Sequence, residues 1–195
     1  MSLVVITGAA RSGKSTAAER LAAGRRRRVI VAVGGRADDG EMERRIAEHR
    51  ALRPGSFEVI EVGPDPAWVT ELPIDAVLLV ECLGTLIGII VAEEVTSETE
   101  ATAMNERIVQ RRANALVGAL CARTGDTVVV TNETGWGVVP PSPAGRLFRD
   151  VMGRANRALV ERADAAYLAL AGRFVDLRHL PADAVWPAAS DGEDA

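Results

Sequence analysis

The chain has 195 residues, 48% of them hydrophobic and 26% charged, the balance of a soluble globular protein with room for one well-filled domain and too little for two. Its net charge of -4 argues against nucleic acid as the main partner. Two cysteines, Cys82 and Cys121, are too few for a disulfide framework and fit a reducing, cytoplasmic setting; the N-terminus reads as a strand and not as a signal segment.

In chain order, the apolar run Leu3-Val4-Val5-Ile6 predicts a buried strand over 3–7. Gly8-Ala9-Ala10-Arg11-Ser12-Gly13-Lys14-Ser15 follows and fits the pattern G-x-x-x-x-G-K-[ST], and a helix is expected over 14–23. Strand, glycine loop and helix are the context of a phosphate-binding loop, or P-loop. The glycines let backbone N–H groups turn inward around a phosphate, and the helix N-terminus adds partial positive charge. Lys14 is then placed to reach the β- and γ-phosphates, and the Ser15 hydroxyl to hold Mg²⁺. Arg25-Arg26-Arg27-Arg28 reads as a solvated helix end favouring the macrodipole.

A second strand is expected over 29–33, then a helix over 41–52, with Asp38 or Asp39 as N-cap and Asp38-x-x-Glu41 as a capping box. On that helix Met42, Ile46 and His49 share a face. Periodicity alone reads His49 as a packed, satisfied imidazole. A phosphate site with arginines beside it would make it a nucleophile toward phosphorus instead. A short, edge-like strand is expected over 57–62.

The segment 76–92 is strongly apolar, but it is shorter than the ~20 residues of a membrane span and contains Glu81. It reads as a strand over 76–81 and a buried helix over 85–94, with Gly84 and Gly88 marking close packing if anything. Glu81 closes the strand where a P-loop fold completes Mg²⁺ coordination, and in an open α/β sheet ligands gather at that edge. A surface carboxylate at a strand end is the plain alternative. The helix expected over 101–123 places Met104, Ile108, Leu116 and Leu120 inward and Arg107, Arg111 and Arg112 outward.

A fourth long strand, over 127–131, leads into Asn132-Glu133-Thr134-Gly135-Trp136-Gly137-Val138-Val139-Pro140, a loop suited to shaping a substrate pocket. A helix over 144–162, a strand over 166–171 and a second short, edge-like strand over 174–177 complete the pattern. The alternation predicts an α/β fold of P-loop NTPase type, a mostly parallel sheet with helices on both faces. It forms a single domain over 1–181, and residues 182–195 read as an acidic, disordered tail.

These motifs together resemble the bifunctional adenosylcobinamide kinase / adenosylcobinamide-phosphate guanylyltransferase family of cobalamin synthesis. The resemblance is carried by the P-loop, by Glu41-Met42 through Ile46, His49, Arg50, Arg53 and Pro54, and by Glu81-Cys82-Leu83. Thr131-Asn132-Glu133 with Gly135-x-Gly137-Val138-Val139-Pro140, Arg146-x-Phe148-Arg149-Asp150 and Gly153-Arg154-x-Asn156 complete it. The resemblance implies a two-step enzyme. It would phosphorylate the aminopropanol hydroxyl of adenosylcobinamide with ATP or GTP, then transfer GMP from GTP to that phosphate through a covalent GMP–histidine, His49, releasing pyrophosphate. It implies nucleotide contacts from Gly8, Ala9, Ala10, Arg11, Ser12, Gly13, Lys14, Ser15, Val33, Gly34, Gly35, Arg50, Ala51, Leu52, Arg53, Glu61 and Glu81, and a cytoplasmic homo-oligomer, a trimer. The chain departs from the family pattern at Glu48, where many members carry a second histidine, at Leu86 for a tryptophan and at Pro141 for a glutamate. A P-loop kinase of another small alcohol, without nucleotidyl transfer, and a non-catalytic nucleotide-binding module are the competing readings.

Overall fold

A computed structural model describes residues 2–35, 55–96 and 100–184. The elements are β1 (Leu3–Gly8), α1 (Lys14–Gly24), β2 (Val29–Gly34), β3 (Phe57–Val62), α2 (Ala67–Glu71), β4 (Val77–Glu81), α3 (Leu83–Glu94), α4 (Ala103–Ala122), β5 (Thr127–Val130), α5 (Pro143–Arg162), β6 (Ala165–Leu170) and β7 (Arg173–Asp176), with a 3-10 turn at Leu177–His179. The helix expected over 41–52, its capping box, His49 and Arg50 to Arg53 lie outside the described residues, as does the end of the expected tail.

The seven strands form one sheet in the order β3-β2-β4-β5-β1-β6-β7. All neighbours are parallel except β7, which returns antiparallel on β6. Parallel strands covered on both faces read as continuous apolar runs, which is why β1, β2, β4 and β5 were plain in the sequence. One face packs on α1 through Ala18 and Ala22. The other packs on α3, α4 and α5 through Leu86, Ile87, Ile90, Leu116, Leu120, Val151 and Leu159. Both faces are therefore covered, and β3 and β7 lie at the edges as expected. No described helix is long and apolar enough to cross a membrane.

Two helices carry their starts in their sequence. Thr102 Oγ1 accepts from the Asn105 N–H at 3.2 Å, and Asn105 Oδ1 accepts from the Thr102 N–H at 2.9 Å, a reciprocal cap on α4. Ser142 Oγ accepts from the Gly145 N–H at 3.1 Å, with Pro143 in the first helical position of α5.

Two expectations are corrected. Met104 is 61% exposed, and the inward stripe of α4 is Val109, Ala113, Leu116, Val117 and Leu120. Steps of four residues drift by about 40° each at 3.6 residues per turn, so Met104 lies about 160° around the helix from Leu120. Arg107 and Arg111 do face solvent, while Arg112 is half-buried and paired with Glu93 at 2.6 Å and Glu94 at 2.7 Å. The arginine run after α1 is exposed, as expected, and three of its members also form ion pairs. Arg25 lies 3.3 Å from Asp126, Arg27 also pairs with Asp126, and Arg28 lies 2.5 Å from Glu58. These pairs tie the end of α1 to the opposite end of the sheet from the P-loop.

Candidate active site

The P-loop residues sit between the carboxyl end of β1 and the start of α1, in the predicted context. Gly8 has φ +150°, and a Cβ there would stand 2.4 Å from the Ala169 carbonyl oxygen of β6, so glycine is needed for both reasons. Arg11 and Gly13 turn the loop through positive φ of 57° and 92°. The hairpin between β6 and β7 braces it, because the Gly172 N–H donates to the Ser12 carbonyl at 3.2 Å. Ser12 Oγ is buried without a hydrogen-bond partner among the described residues, and it lies 3.0 Å from where a Cβ on Gly8 would stand. It is an available donor on the loop.

Lys14 is 7% exposed, and its Nζ donates to the Ala9 carbonyl oxygen at 2.9 Å. Burial pushes its ammonium group below the ordinary lysine range, against the pull of Cys82 and Glu81 in the opposite direction. A lysine held this way carries a poorly hydrated charge, which is most effective when it meets a phosphate. Ser15 Oγ donates to Glu81 Oε1 at 2.5 Å. Glu81 ends β4, so the structure joins the two residues that the sequence singled out as metal-holding, 66 positions apart.

The other expected nucleotide-contact residues fall along the same edge. Val33 of β2 is in register with Glu61 of β3 on one side and Glu81 of β4 on the other. Gly34 and Gly35 continue β2 past this level, and the Gly35 N–H donates to the Val62 carbonyl at 3.1 Å. The P-loop, the turn after β2, Glu61 and Glu81 are thus brought to one edge of the sheet. His49 and Arg50 to Arg53 lie outside the described residues.

The loop after β5 supplies contacts that the sequence pattern named without explaining. Gly84, at the start of α3, admits Asn132: a Cβ there would stand 2.8 Å from Asn132 Oδ1. Cys82 Sγ donates to the same Oδ1 at 3.3 Å. Glu133 N–H donates to the Gly8 carbonyl at 3.2 Å, and Thr7 Oγ1 donates to Glu133 Oε1 at 2.8 Å. Buried Asn156 of α5 ties the segment together. Its Oδ1 accepts from Thr131 Oγ1 at 2.6 Å, and its Nδ2 donates to the Asn132 carbonyl at 2.9 Å and to Glu133 Oε1 at 3.0 Å. Further along the loop Trp136 is 66% and Val138 95% exposed, an apolar rim beyond this polar hub.

A glycine loop with a buried lysine at one strand end, and a serine–carboxylate junction at another, define a nucleotide-binding α/β domain built for phosphate chemistry. The chain belongs to the family described as cobinamide kinase / cobinamide phosphate guanyltransferase, whose model matches residues 4–177. It is 32% identical over 182 residues to the bifunctional adenosylcobalamin biosynthesis protein CobU of Salmonella typhimurium, covering 90% of this chain and 99% of that protein. It is 35% identical over 180 residues to the bifunctional adenosylcobalamin biosynthesis protein CobP of Pseudomonas aeruginosa, covering 91% of this chain and 98% of that protein. The CobU protein of Escherichia coli K12 is 31% identical over 182 residues, with 90% of this chain and 99% of that protein covered. The resemblance read from the motifs is therefore borne out, as is the α/β, mostly parallel fold.

Proposed function

We propose that this chain carries out both reactions named by its family. It phosphorylates the aminopropanol hydroxyl of adenosylcobinamide with ATP or GTP. It then moves GMP from GTP onto that phosphate, giving adenosylcobinamide-GDP and pyrophosphate. The observation that carries the reading is the Ser15–Glu81 contact of 2.5 Å beside buried Lys14, in a chain that matches the family over 4–177. In this reading Lys14 screens the β- and γ-phosphates while Gly8 to Ser15 hold them through backbone N–H groups. Val33, Gly34, Gly35, Glu61 and Arg50 to Arg53 complete the nucleotide contacts. His49 supplies the nucleophile for GMP, because a neutral imidazole nitrogen attacks phosphorus readily and the phosphoramidate it forms is easily cleaved. The reading extends to a cytoplasmic homotrimer, on the family resemblance alone.

Magnesium is the metal this chemistry takes, and the residues fit it. Among the described residues no group of three or more His, Cys, Asp or Glu side chains could cage an ion. Magnesium asks for less, since it keeps waters and shares phosphate oxygens, and the hydroxyl and carboxylate oxygens of Ser15 and Glu81 suit it. When bound, it neutralises charge developing on the phosphate oxygens. Glu81→Gln removes the negative charge at nearly constant shape. The magnesium concentration needed for half-maximal activity should rise about tenfold or more, with little change in the thermal midpoint of the ligand-free protein. An unchanged magnesium titration would make Glu81 an ordinary strand-end residue.

The experiment that tests the reading is incubation with GTP radiolabelled at the α-phosphate, followed by a denaturing gel. A covalent, acid-labile and base-stable label is expected. Its absence in a chain that still phosphorylates alcohols would favour the simpler kinase.

A further inference from the structure

Glu133 stands at the same sheet edge as Lys14 and Glu81, and neither the P-loop nor the metal pair uses it. Its backbone N–H bonds the carbonyl of Gly8, the first P-loop residue, so its main chain is fixed to the phosphate-binding turn. Its carboxylate is held on one side only. Thr7 Oγ1 at 2.8 Å and Asn156 Nδ2 at 3.0 Å both donate to Oε1. Both donors are neutral, and no described cation forms a salt bridge with it, so the charge is not consumed in an ion pair. Oε2 has no hydrogen-bond partner among the described residues, and Glu133 is partly exposed. Asn156 is itself 6% exposed and anchored through Thr131, which is fully buried, so the carboxylate is aimed by groups that cannot easily move. A carboxylate with one oxygen held and the other without a partner, hydrogen-bonded to the residue that precedes a phosphate loop, is suited to meet a ligand.

We propose that Glu133 is the general base of the kinase step, taking the proton of the acceptor hydroxyl on Oε2 while Thr7 and Asn156 hold Oε1. This rests on the kinase reading above. In the step, the hydroxyl oxygen forms a bond to the γ-phosphorus. The bond from that phosphorus to the bridging oxygen breaks, and its electron pair leaves on the nucleoside diphosphate. The hydroxyl proton passes to Glu133 Oε2 and from there to water. Glu81 is the less suitable base, because in the proposed reading it stands with Ser15 to hold magnesium, and a carboxylate engaged by a cation is a poor proton acceptor.

The test compares wild type, Glu133→Gln and Glu133→Ala in phosphorylation of adenosylcobinamide by ATP. Glutamine keeps an oxygen for Thr7 and Asn156 and removes the base. The kcat of Glu133→Gln should fall about 10²- to 10⁴-fold with the KM for ATP unchanged. Formate added to Glu133→Ala should restore part of the rate, as a base supplied from solution does and a packing defect does not permit. Wild-type kcat in Glu133→Gln would overturn the proposal. So would a loss of kcat accompanied by a raised KM for ATP and no response to formate. A wild-type chain that phosphorylates no corrinoid would overturn the kinase reading itself, and this assignment with it.

Discussion

Lys14→Ala is expected to lower the phosphorylation rate by about two to three orders of magnitude, with the fold intact. Electrostatic groups aimed at developing charge are worth about 3 kcal/mol or more at the transition state. Here the group is well prepared, because Lys14 is buried at the mouth of the loop and its Nζ already lies 2.9 Å from the Ala9 carbonyl. The same burial means that the charge does little for folding. Desolvation lowers its pKa, so the protein holds the ammonium group at a cost, and alanine removes that cost along with the charge. The thermal midpoint of the variant should therefore match or exceed that of wild type. Near-normal phosphorylation by Lys14→Ala would sink the P-loop assignment. A large fall in the thermal midpoint would show that Lys14 stabilises the loop as well as serving it.

His49→Ala is expected to separate the two reactions, stopping guanylyl transfer by a factor on the order of 10⁴ or more while phosphorylation continues. The two steps ask different things of the protein. Phosphorylating an alcohol needs positioning, a metal and charge stabilisation around the γ-phosphate, which Lys14, Ser15 and Glu81 give in the proposed reading. Transfer through a covalent intermediate needs a nucleophile at the α-phosphate, and alanine has none. Glu48 is the neighbouring rival. Its adduct would be an acyl phosphate, labile to base, whereas a histidine phosphoramidate is labile to acid. Full transferase activity in His49→Ala, or a base-labile label, would remove His49 from the mechanism. Loss of both activities would instead support a packed structural imidazole.

Much of this was legible in the residues because it is local. A glycine loop between an apolar strand and a helix carries its own context, and strands buried on both faces, such as Val29–Gly34 and Val77–Glu81, read as unbroken apolar runs. Signals that are too short or too distant did not show. The helix Ala67–Glu71 has five residues and no period to detect. Helical spacing placed Met104 inward because equal steps of four look like a stripe but wind around the helix. The ion pairs of the exposed arginine run did not show because its partners, Asp126 and Glu58, lie far along the chain. The Glu133 hub is the clearest case. Thr7, Glu133 and Asn156 come together from three elements, and only a strand order placing β5 beside β1 brings the first two into contact. The sequence marked Asn132, Glu133 and Asn156 as part of a pattern, but their shared purpose is a property of the folded sheet.

The central claim is that one chain performs both steps, and product analysis tests it most directly. Purified protein would be incubated with adenosylcobinamide, ATP, GTP and magnesium, and the corrinoids separated over time and weighed by mass spectrometry. Adenosylcobinamide phosphate should appear first and then give way to adenosylcobinamide-GDP, with pyrophosphate released as the second product forms. Accumulation of the phosphate alone, with no GDP-bearing corrinoid and no pyrophosphate, would contradict the account.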